Sequence, residues 1–522
     1  MVGKRNINNG KRVGIMMDNQ ITNLLSKYDV TESTKSFLDL NQKMFINGAF
    51  TQGNSTENID IIEPSTGKVL TTITAGTAKD VDDAVNAAEE ALHGEWANYK
   101  PREREQVMRK LAELIRENLQ TIAELESLDS GKAISGCKAV DIAGSANVWE
   151  YFAGWATKIE GSSRSTSMPG NYFSYTQKEP VGVVGAIVPW NWPFAMATWK
   201  LAAPLAAGCT VVLKPAEMTS LSMLFFMTLC QQAGLPNGVI NIVTGRGRTV
   251  GTALTTHPKV AKVSFTGSTE VGKTVGKSVS DSVKHVTLEL GGKSPMIAFN
   301  DADVDALAKG TLGSIYFNAG QVCSAGSRLY VQRGIYDEVI EKIKQVAEGI
   351  KLGTGLDPDT QMGPVISKSQ QQSIKQYIDI GIEEGARLVT GGYCLEDDGF
   401  YVKPTLFADT TNDMRIVQEE IFGPVLVVQV FDSEDEVIEL ANDNVFGLAA
   451  SIWTQDISRA HRMIPKIKAG SVWVNIHDPG DPSMPFGGVK LSGIGKDLGP
   501  EQLEHYLETK SIWIKVGENN DE

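Results

Sequence analysis

The apolar positions divide the chain into helical and extended stretches. From about residue 80 to 127 apolar residues recur at intervals of three and four, which predicts amphipathic helices. Residues 181–193 form an apolar run that ends in "PWNWP" and predicts a buried strand. Between residues 210 and 293 short apolar strands alternate with helical segments. This alternation predicts a parallel sheet with helices on its faces.

A second alternating series begins near Ser294. It contains a predicted helix over residues 303–320, a loop around Cys323 and a strand at 328–332. We therefore expect an α/β protein with one domain built from residues 44–161 and 181–293 and another over 294–490. In such sheets ligands bind at the carboxyl ends of the strands.

Residues 174–180 and 507–516 alternate in polarity but belong to neither series. Exposed strand edges invite pairing with another chain. We therefore expect segments 162–180 and 503–517 to hold a homo-oligomer together, with a tetramer preferred over a dimer. Residues 1–43 are expected to be an N-terminal extension, partly disordered. Their first twenty residues include four basic ones but lack the apolar core of a secretory signal.

Charge and composition narrow the possible partners. The chain has 63 acidic and 49 basic residues and a net charge of −14, so its surface repels nucleic acid and anionic membranes. No apolar run reaches the roughly 18 residues of a membrane span. The five cysteines form no CxxC pair and the six histidines no HxxxH pair. We expect no metal site, no disulfide framework and a cytoplasmic location.

Two stretches are similar to nucleotide-binding motifs. In "GRGRTVG" (245–251) the last glycine comes one residue too late for GxGxxG. "GSTEVGKT" (267–274) matches the P-loop pattern at every position, which keeps a P-loop nucleotidase as an alternative class. That class also needs a later strand ending in aspartate, whereas "HVTLELGG" ends in glutamate. Ser268 and the amides at this helix start predict phosphate binding in either case.

Three residues suggest a chemistry when taken together. Cys323 lies among small residues in "NAGQVCSAGSR" (318–328), which suits either a reactive thiol or a tight turn. Glu289 lies at the end of an apolar strand, and this position suits either a general base or an ion-pair partner. Asn191, between two tryptophans, is an oxyanion donor or a turn cap. A thiolate nucleophile, an oxyanion donor and a base for water are the groups that aldehyde oxidation needs.

Seven motifs resemble, in order, those of the aldehyde dehydrogenase superfamily from about Phe45 to Val516. They are "PWNWP", "LKPAE", "FTGSTEVG", "LELGGKSP", "GQVC", "EEIFGP" and "PFGGVKLSG". The resemblance implies a Rossmann-like cofactor domain, an α/β catalytic domain and a small β oligomerisation extension. It implies that Cys323 is the nucleophile and Glu289 the base that hydrolyses the thioester. Asn191 and the Cys323 amide would then stabilise the oxyanion.

The same resemblance implies a binding site for NAD. Lys214 and Glu217 look like the binders of the adenosine ribose, and Ser268 looks like the pyrophosphate contact, which replaces the P-loop interpretation. Glu420 and Phe422 look like the groups that hold the nicotinamide ribose. Further cofactor contacts are expected at Ile187, Trp190, Gly247 and Gly267. The Glu217 carboxylate would repel a 2′-phosphate, which favours NAD over NADP.

The chain departs from the family pattern at one position. Many members have a glutamate after "SGIGK", where this chain has Asp497, so we assign Asp497 no catalytic role. Members that pass the acyl group to coenzyme A often lack the glutamate found here at position 289. Its presence therefore favours hydrolysis to the free acid. Asn475 in "VWVN" is similar to a structural support of the site.

The expected substrate tunnel follows Asn191 and surrounds Cys323. Its residues would be Trp192, Met196, Trp199, Val322 and His477. This apolar set suits aromatic or medium aliphatic aldehydes, although some of its members could merely pack the domain seam. Residues 484–511 and "VNIH" are similar to phenylacetaldehyde dehydrogenases, with betaine aldehyde and simple aliphatic aldehydes as alternatives. Succinate-semialdehyde enzymes tend to carry arginine at the position of Trp199, so a carboxylate-bearing substrate is not expected.

Overall fold

The structure is a computed structural model that describes residues 18–396 and 398–517. Its first ten strands are β1 Met44–Ile46, β2 Ala49–Thr51, β3 Asn58–Glu63, β4 Lys68–Thr74, β5 Ser163–Arg164, β6 Tyr172–Pro180, β7 Val183–Ile187, β8 Thr210–Lys214, β9 Ile240–Ile242 and β10 Val260–Thr266. The next ten are β11 His285–Glu289, β12 Pro295–Ala298, β13 Arg328–Gln332, β14 Arg387–Thr390, β15 Thr405–Ala408, β16 Val425–Phe431, β17 Ala449–Trp453, β18 Ser471–Val474, β19 Gly493–Ile494 and β20 Leu507–Lys515.

The α-helices cover both faces of the sheets. They begin with α1 Asn19–Lys27, α2 Glu32–Leu38, α3 Ala78–His93, α4 Glu95–Asn98, α5 Pro101–Glu117, α6 Leu119–Ser130, α7 Ile134–Gly136, α8 Ala143–Ala153, α9 Pro193–Ala207 and α10 Leu221–Gln232. They continue with α11 Thr252–Thr256, α12 Thr269–Ser280, α13 Val304–Gly313, α14 Tyr336–Gly349, α15 Lys368–Glu383, α16 Arg415–Gln418, α17 Glu434–Asn442, α18 Ile457–Met463 and α19 Gly499–Glu504. Among the described residues, no helix has the length and apolar character needed to cross a membrane.

The first sheet has eight strands in the order β19-β11-β10-β7-β8-β9-β1-β2. Its five central strands, β11, β10, β7, β8 and β9, are parallel. Strands β7 and β8 are buried along their whole length, which explains their continuous apolar sequences. The predicted parallel sheet with covering helices is therefore confirmed.

The second sheet has seven strands in the order β14-β15-β16-β13-β12-β17-β18, and only β14 runs antiparallel to its neighbour. Strands β20, β6 and β5 form a separate antiparallel sheet. In it β6 pairs with β20 over nine residues, from Tyr172 with Lys515 to Pro180 with Leu507. The two alternating segments of the sequence are thus partners of one another within the chain.

The structure describes residues 18–43 of the expected N-terminal extension, and the partial disorder of residues 1–43 stays a prediction. Residues 1–17 lie outside the described residues. From Asp18 onwards the chain forms α1 and α2, whose Ile21 and Leu25 join the main hydrophobic core. The Glu124 carboxylate accepts hydrogen bonds from the Thr31 amide and from the hydroxyls of Thr31 and Thr34. Apolar burial and these bonds hold the segment against α6.

The predicted helix over residues 303–320 is longer than the helix in the structure. Helix α13 ends at Gly313, and the chain then turns instead of continuing. Asn318 and Ala319 have φ values of +47° and +54°, which a right-handed helix cannot contain. Gly320 has φ +70°, and an added Cβ there would lie 2.1 Å from the Gly423 carbonyl oxygen. The turn therefore requires glycine, and it presents the loop that carries Cys323.

A fully buried ion cluster joins α6 to the residues before α8. Lys132 Nζ lies 3.0 Å from the Asp141 carboxylate and 3.3 Å from that of Glu126. Burial raises the pKa of Glu126 to about 7, although the ammonium of Lys132 opposes this. Within the described chain, Lys132 is thus the one cation that balances the charge of two carboxyl groups buried away from solvent.

We expect the Lys132→Met variant to lose about 3–5 kcal/mol of unfolding free energy, because it leaves Glu126 and Asp141 buried without a cation. Carboxyl groups with a raised folded-state pKa lose stability as the pH rises, so the deficit should be larger at pH 8 than at pH 6. Urea unfolding followed by circular dichroism measures both effects. The exposed pair of Lys110 and Glu113 supplies the control, Lys110→Met, whose expected change is within about 0.5 kcal/mol. Equal effects of the two variants would contradict this account.

Candidate active site

The carboxyl ends of the first sheet bring several predicted residues onto one edge. Glu289 pairs with Thr266 at the ends of β11 and β10. Ile187, at the end of β7, lies between Phe265 of β10 and Lys214 of β8. Because these strands are parallel, the last residue of each lies on the same edge of the sheet.

Hydrogen bonds attach the Cys323 loop to this edge. The Asn191 side-chain amide donates to the Gln321 carbonyl at 2.9 Å. The Asn318 side-chain amide donates in turn to the Asn191 carbonyl at 3.1 Å and to the Gln321 carbonyl at 3.3 Å. The three bonds place Cys323 next to Asn191, although they lie 132 positions apart in sequence (323 − 191).

A cavity of about 470 Å³ opens at this junction. The predicted residues that line it are Trp190, Asn191, Trp192, Met196, Trp199, Gly267, Ser268, Glu289, Val322, Cys323, Glu420 and Phe422. The three predicted catalytic residues thus share one cavity with most of the predicted cofactor and tunnel residues.

The Cys323 thiol lies in an acidic environment. Burial raises its pKa first, and the nearby carboxyl groups of Asp478, Glu420 and Glu289 raise it further. The thiol is therefore protonated at neutral pH and needs a group that accepts its proton before it can attack as a thiolate.

Glu289 is a buried carboxyl group that faces the same cavity. Burial raises its pKa well above the usual value, Asp497 raises it further, and Lys200 and Lys496 oppose this. Neither of its oxygens makes a hydrogen bond of normal geometry within the described chain, although the Gly488 amide lies near enough to favour the charged form. Such a carboxyl group binds a proton more readily than one in water and suits a general base.

Asp497 has both of its carboxylate oxygens occupied. Lys200 Nζ lies 2.8 Å from Oδ2, and the Gln502 side-chain amide donates to Oδ1 at 2.9 Å. Lys200 also donates to the Ser264 hydroxyl at 3.2 Å. Asp497 therefore influences the pKa of Glu289 through its charge, and it forms a buried ion pair with Lys200.

A second set of predicted residues surrounds the start of α12 and the loop after α16. Ser268 is the N-cap residue of this helix, and its hydroxyl makes no capping bond. The Glu420 carboxylate accepts from the Gly292 amide at 3.0 Å, while burial raises its pKa to about 7. Phe422 and Trp190 pack edge to face with ring centroids 5.3 Å apart.

Four predicted cofactor residues lie outside the cavity. Glu217 accepts from the Gly247 amide at 2.7 Å. Lys214 and Ile187 both lie close to Gly251, in the same turn of chain as Gly247. Burial lowers the pKa of Lys214 to about 8, and the Glu217 carboxylate opposes this effect. These residues form a separate group at the ends of β7 and β8.

His477 does not line the tunnel, which corrects the prediction for this residue. Its Nδ1 lies 2.9 Å from the Ser451 hydroxyl and its Nε2 lies 2.9 Å from the Ser324 carbonyl oxygen. The ring is buried behind the Cys323 loop, and the cavity wall continues instead with Asp478 and Pro479. The prediction named His477, whereas the next residue, Asp478, lines the cavity. The chain turns after β18, where Asp478 adopts φ +64°.

Comparison with known proteins agrees with this arrangement. The family model described as "Aldehyde dehydrogenase family" matches residues 50–512. The chain belongs to the aldehyde dehydrogenase family. It is 46% identical over 486 residues to a phenylacetaldehyde dehydrogenase of Pseudomonas fluorescens, covering 91% of this chain and 96% of that one. It is 44% identical over 479 residues to a betaine aldehyde dehydrogenase of Bacillus subtilis (strain 168), covering 91% and 97%.

Solved structures of the family show the same fold. An aldehyde dehydrogenase from Bacillus cereus, in a structure described as an NAD⁺ complex, superposes with a TM-score of 0.92 at 45% identity. The match covers 94% of this chain and 99% of that chain. The predicted fold class, with Rossmann-like α/β domains, is therefore confirmed.

The P-loop interpretation does not survive in this aldehyde dehydrogenase. Lys273, which would have to reach a phosphate, points to solvent and forms an ion pair with Glu270 at 2.7 Å. The Thr274 hydroxyl donates to the Glu270 carbonyl within the same helix. The residues after Ser268 that match the motif therefore form the exposed surface of an ordinary helix.

Asn475 has the geometry of a structural residue. Its side chain accepts from the Thr454 amide and donates to the Thr454 carbonyl, both at 2.9 Å. It adopts φ +57°, a conformation that asparagine tolerates better than most residues. This pair of bonds ties the end of β18 to the end of β17.

Sequence reasoning missed several residues of the cavity wall. Asp478, Phe486 and Ser324 line the cavity, and Lys200 pairs with a residue that does. Phe486 packs against Trp199 with ring centroids 5.6 Å apart. Asp478 directly follows the predicted tunnel residue His477, and this position in the sequence was the signal that could have identified it.

We expect iodoacetamide to alkylate Cys323 slowly at pH 7, at a rate that still rises above pH 9. The reason is that only the thiolate attacks, while burial and three carboxyl groups raise the pKa of this thiol. Mass spectrometry of the Cys323 peptide measures the rate at each pH. Cys323→Ser is the control that identifies the modified peptide, and a rate that levels off below pH 8 would count against the acidic site.

Proposed function

We propose that the protein oxidises an aldehyde to the carboxylic acid with NAD⁺. The observation that carries this proposal is that Cys323, Asn191 and Glu289 face one cavity. A nucleophile, an oxyanion donor and a base in one cavity form the set that acyl chemistry on a thiol requires.

The residues around the cavity suit a dinucleotide. Free amides and the Ser268 hydroxyl at the start of the twelve-residue helix α12 favour a phosphate. Glu420 and Glu217 offer carboxylates to ribose hydroxyls, and Glu217 would repel the extra phosphate of NADP. Lys214, Ile187 and Gly247 would surround the adenosine end, and Trp190, Phe422 and Gly267 the nicotinamide side. The solved relative from B. cereus described as an NAD⁺ complex supports this assignment.

In the first step the Cys323 thiol gives its proton to the Glu289 carboxylate, and the sulfur adds to the aldehyde carbonyl carbon to give a thiohemiacetal oxyanion. Glu289 then releases this proton to water. The Asn191 Nδ2 atom uses one hydrogen for the Gln321 carbonyl, which orients the amide next to Cys323. Its other hydrogen, together with the Cys323 backbone amide, would stabilise the oxyanion. When NAD⁺ is bound, it accepts the hydride whose departure turns the thiohemiacetal into a thioester.

Glu289 then acts as the base for hydrolysis. It takes a proton from water, the hydroxide attacks the thioester carbon, and the acid leaves as the Cys323 thiol is restored. A carboxyl group with a raised pKa suits this exchange because it binds the proton readily. Asp497 stays outside these steps, since Lys200 and Gln502 occupy its oxygens.

The tunnel favours a neutral, bulky substituent on the aldehyde. Trp192, Met196, Trp199 and Val322 line it with apolar surface, and Phe486 extends the aromatic wall. We propose a phenylacetaldehyde-like substrate, in agreement with the P. fluorescens relative. Betaine aldehyde is the second candidate, because aromatic faces and acidic side chains in the same cavity also attract a quaternary ammonium group.

We also propose a division of labour along the chain. Residues 44–161 and 181–293 would bind the cofactor, residues 294–490 would carry the nucleophile, and 162–180 with 503–517 would join subunits. The exposed Phe173, Trp513 and Ile514 of the β20-β6-β5 sheet support the last assignment. A homotetramer is proposed ahead of a dimer. Five unpaired cysteines fit a reducing cytoplasm.

We expect the purified protein to reduce NAD⁺ in the presence of phenylacetaldehyde, and the Cys323→Ala variant to be inactive because it lacks the nucleophile. Absorbance of the reduced cofactor at 340 nm measures this, with hexanal, benzaldehyde and betaine aldehyde compared and NADP⁺ in parallel. Activity that survives in the variant would remove Cys323 from the mechanism. A preference for betaine aldehyde would keep the mechanism and overturn the aromatic substrate.

We expect Glu289→Gln to lower kcat by about 10²–10⁴-fold, because it removes the base without changing the shape of the side chain. In the wild type kcat should fall as the pH drops through the raised pKa of Glu289, since only the carboxylate accepts a proton. The variant should lose this dependence. Rates measured from pH 5.5 to 9 test both statements, and an unchanged pH profile in the variant would assign the base to another residue.

A further inference from the structure

We propose that Asp478 sets the charge preference of the substrate tunnel and disfavours aldehydes that carry a carboxylate. The inference rests on the proposed function and adds to it a residue that selects substrates by charge. It follows from the position of Asp478 next to the nucleophile and from the charges of the cavity wall.

Asp478 is held at the nucleophile by its backbone and by one hydrogen bond. It follows β18 with φ +64°, a conformation that costs energy for a residue with a side chain. The Ser324 hydroxyl donates to its carboxylate at 2.7 Å, and Ser324 is the residue after Cys323. Among the charged groups that raise the pKa of Cys323, Asp478 has the largest effect. Its charge therefore acts at the place where the aldehyde carbon must bind.

The described lining of the cavity contains five carboxyl groups and no lysine, arginine or histidine. They belong to Glu289, Glu420, Asp478, Asp481 and Asp497. An anionic aldehyde would enter this wall without a cation to pair with, and desolvating its charge would cost energy. A neutral aldehyde has no such penalty, and a cationic aldehyde is attracted.

Asp478 differs from three other acids of the wall in how its charge is balanced. Asp497 is paired with Lys200, and Glu420 accepts from the Gly292 amide. Asp481 is exposed and accepts from the amide and hydroxyl of Ser483 in a surface turn, where water screens its charge. Asp478 has a neutral hydroxyl as its hydrogen-bond donor and no ion pair within the described residues.

The neighbouring histidine does not offset this charge. Burial lowers the pKa of His477 to about 4, so the ring is neutral at physiological pH. Both of its nitrogens are occupied by Ser451 and Ser324. The titratable groups that share the cavity lining with Asp478 are Cys323, Glu289, Glu420, Asp481 and Asp497, and none of them is a cation.

The preference should depend on pH. Burial raises the pKa of Asp478 to about 7, while the Ser324 hydroxyl opposes this shift. The carboxylate form therefore prevails at pH 8.5 and the neutral form at pH 6. Discrimination against anions should be stronger at the higher pH.

Three para-substituted benzaldehydes of similar shape test the proposal with the purified enzyme and NAD⁺. They are 4-carboxybenzaldehyde, 4-methylbenzaldehyde and 4-(trimethylammonio)benzaldehyde. In Asp478→Asn, the ratio of kcat/KM for the anion to that for the neutral compound should rise about tenfold, and the ratio for the cation to that for the neutral compound should fall. Asparagine keeps an oxygen that accepts from Ser324, so the charge changes while the hydrogen bond stays. Equal factors for all three substrates would overturn the proposal.

Asp478→Ala and Asp481→Asn are the matched controls. Asp478→Ala removes the hydrogen bond as well as the charge. A purely structural role would therefore lower activity for all three aldehydes in Asp478→Ala and leave Asp478→Asn like the wild type. The Asp481→Asn variant removes an acid of the same wall that water screens, and its factors should differ among the three aldehydes by less than about threefold.

A measurement without aldehyde separates this proposal from the proposed function. Iodoacetate and iodoacetamide alkylate the same sulfur and differ in charge, so the ratio of their rates at Cys323 reports the local potential. This ratio should rise in Asp478→Asn, and in the wild type it should fall between pH 6 and 8.5. An unchanged ratio in the variant would refute the role of Asp478. A raised ratio without NAD⁺ reduction by any aldehyde would refute the proposed function and leave the electrostatic role in place.

Discussion

Two hydrogen bonds between the turn after β7 and the loop before Cys323, with a third inside that loop, hold the candidate active site together. Asn191 and Asn318 each donate to the Gln321 carbonyl, and Asn318 also donates to the Asn191 carbonyl. Buried amides need such partners, because an unpaired amide away from water is costly. The bonds therefore hold the loop that carries Cys323 against the edge of the first sheet. The cavity, its acidic wall and the apolar tunnel all lie around this junction.

The chemistry of the cavity follows from burying acids without cations. Burial raises the pKa of Glu289, Glu420, Asp478 and the Cys323 thiol alike. Each acid therefore binds a proton more readily than it would in water, and the thiol gives one up less readily. Glu289 alone among the acids lacks a hydrogen bond of normal geometry, which leaves its oxygens available for a water molecule. Glu289 therefore suits the general-base role that the proposed mechanism needs.

Much of the fold was predictable because it depends on local patterns. Buried strands such as β7 and β8 are continuous apolar runs, and the helices between them repeat at three and four residues. The helix predicted over 303–320 failed where local propensity lost to tertiary structure. Asn318 and Ala319 adopt left-handed conformations, because the turn must bring Cys323 to the seam. In the N-terminal segment, Ile21 and Leu25 pack into the main core, a tertiary contact that no periodic pattern predicted.

The sequence by itself determined the family, because seven motifs occur in the family's order. It also predicted Cys323, Glu289 and Asn191 as the reacting groups. It also determined the parallel sheet on whose edge they meet. Only the tertiary structure decided which side chains face the cavity. In the turn after β18, where Asn475 and Asp478 adopt φ values of +57° and +64°, Asp478 lines the cavity and His477 is buried behind it. The direction of a side chain after a strand depends on the backbone conformation of that turn, and no periodic pattern encodes it.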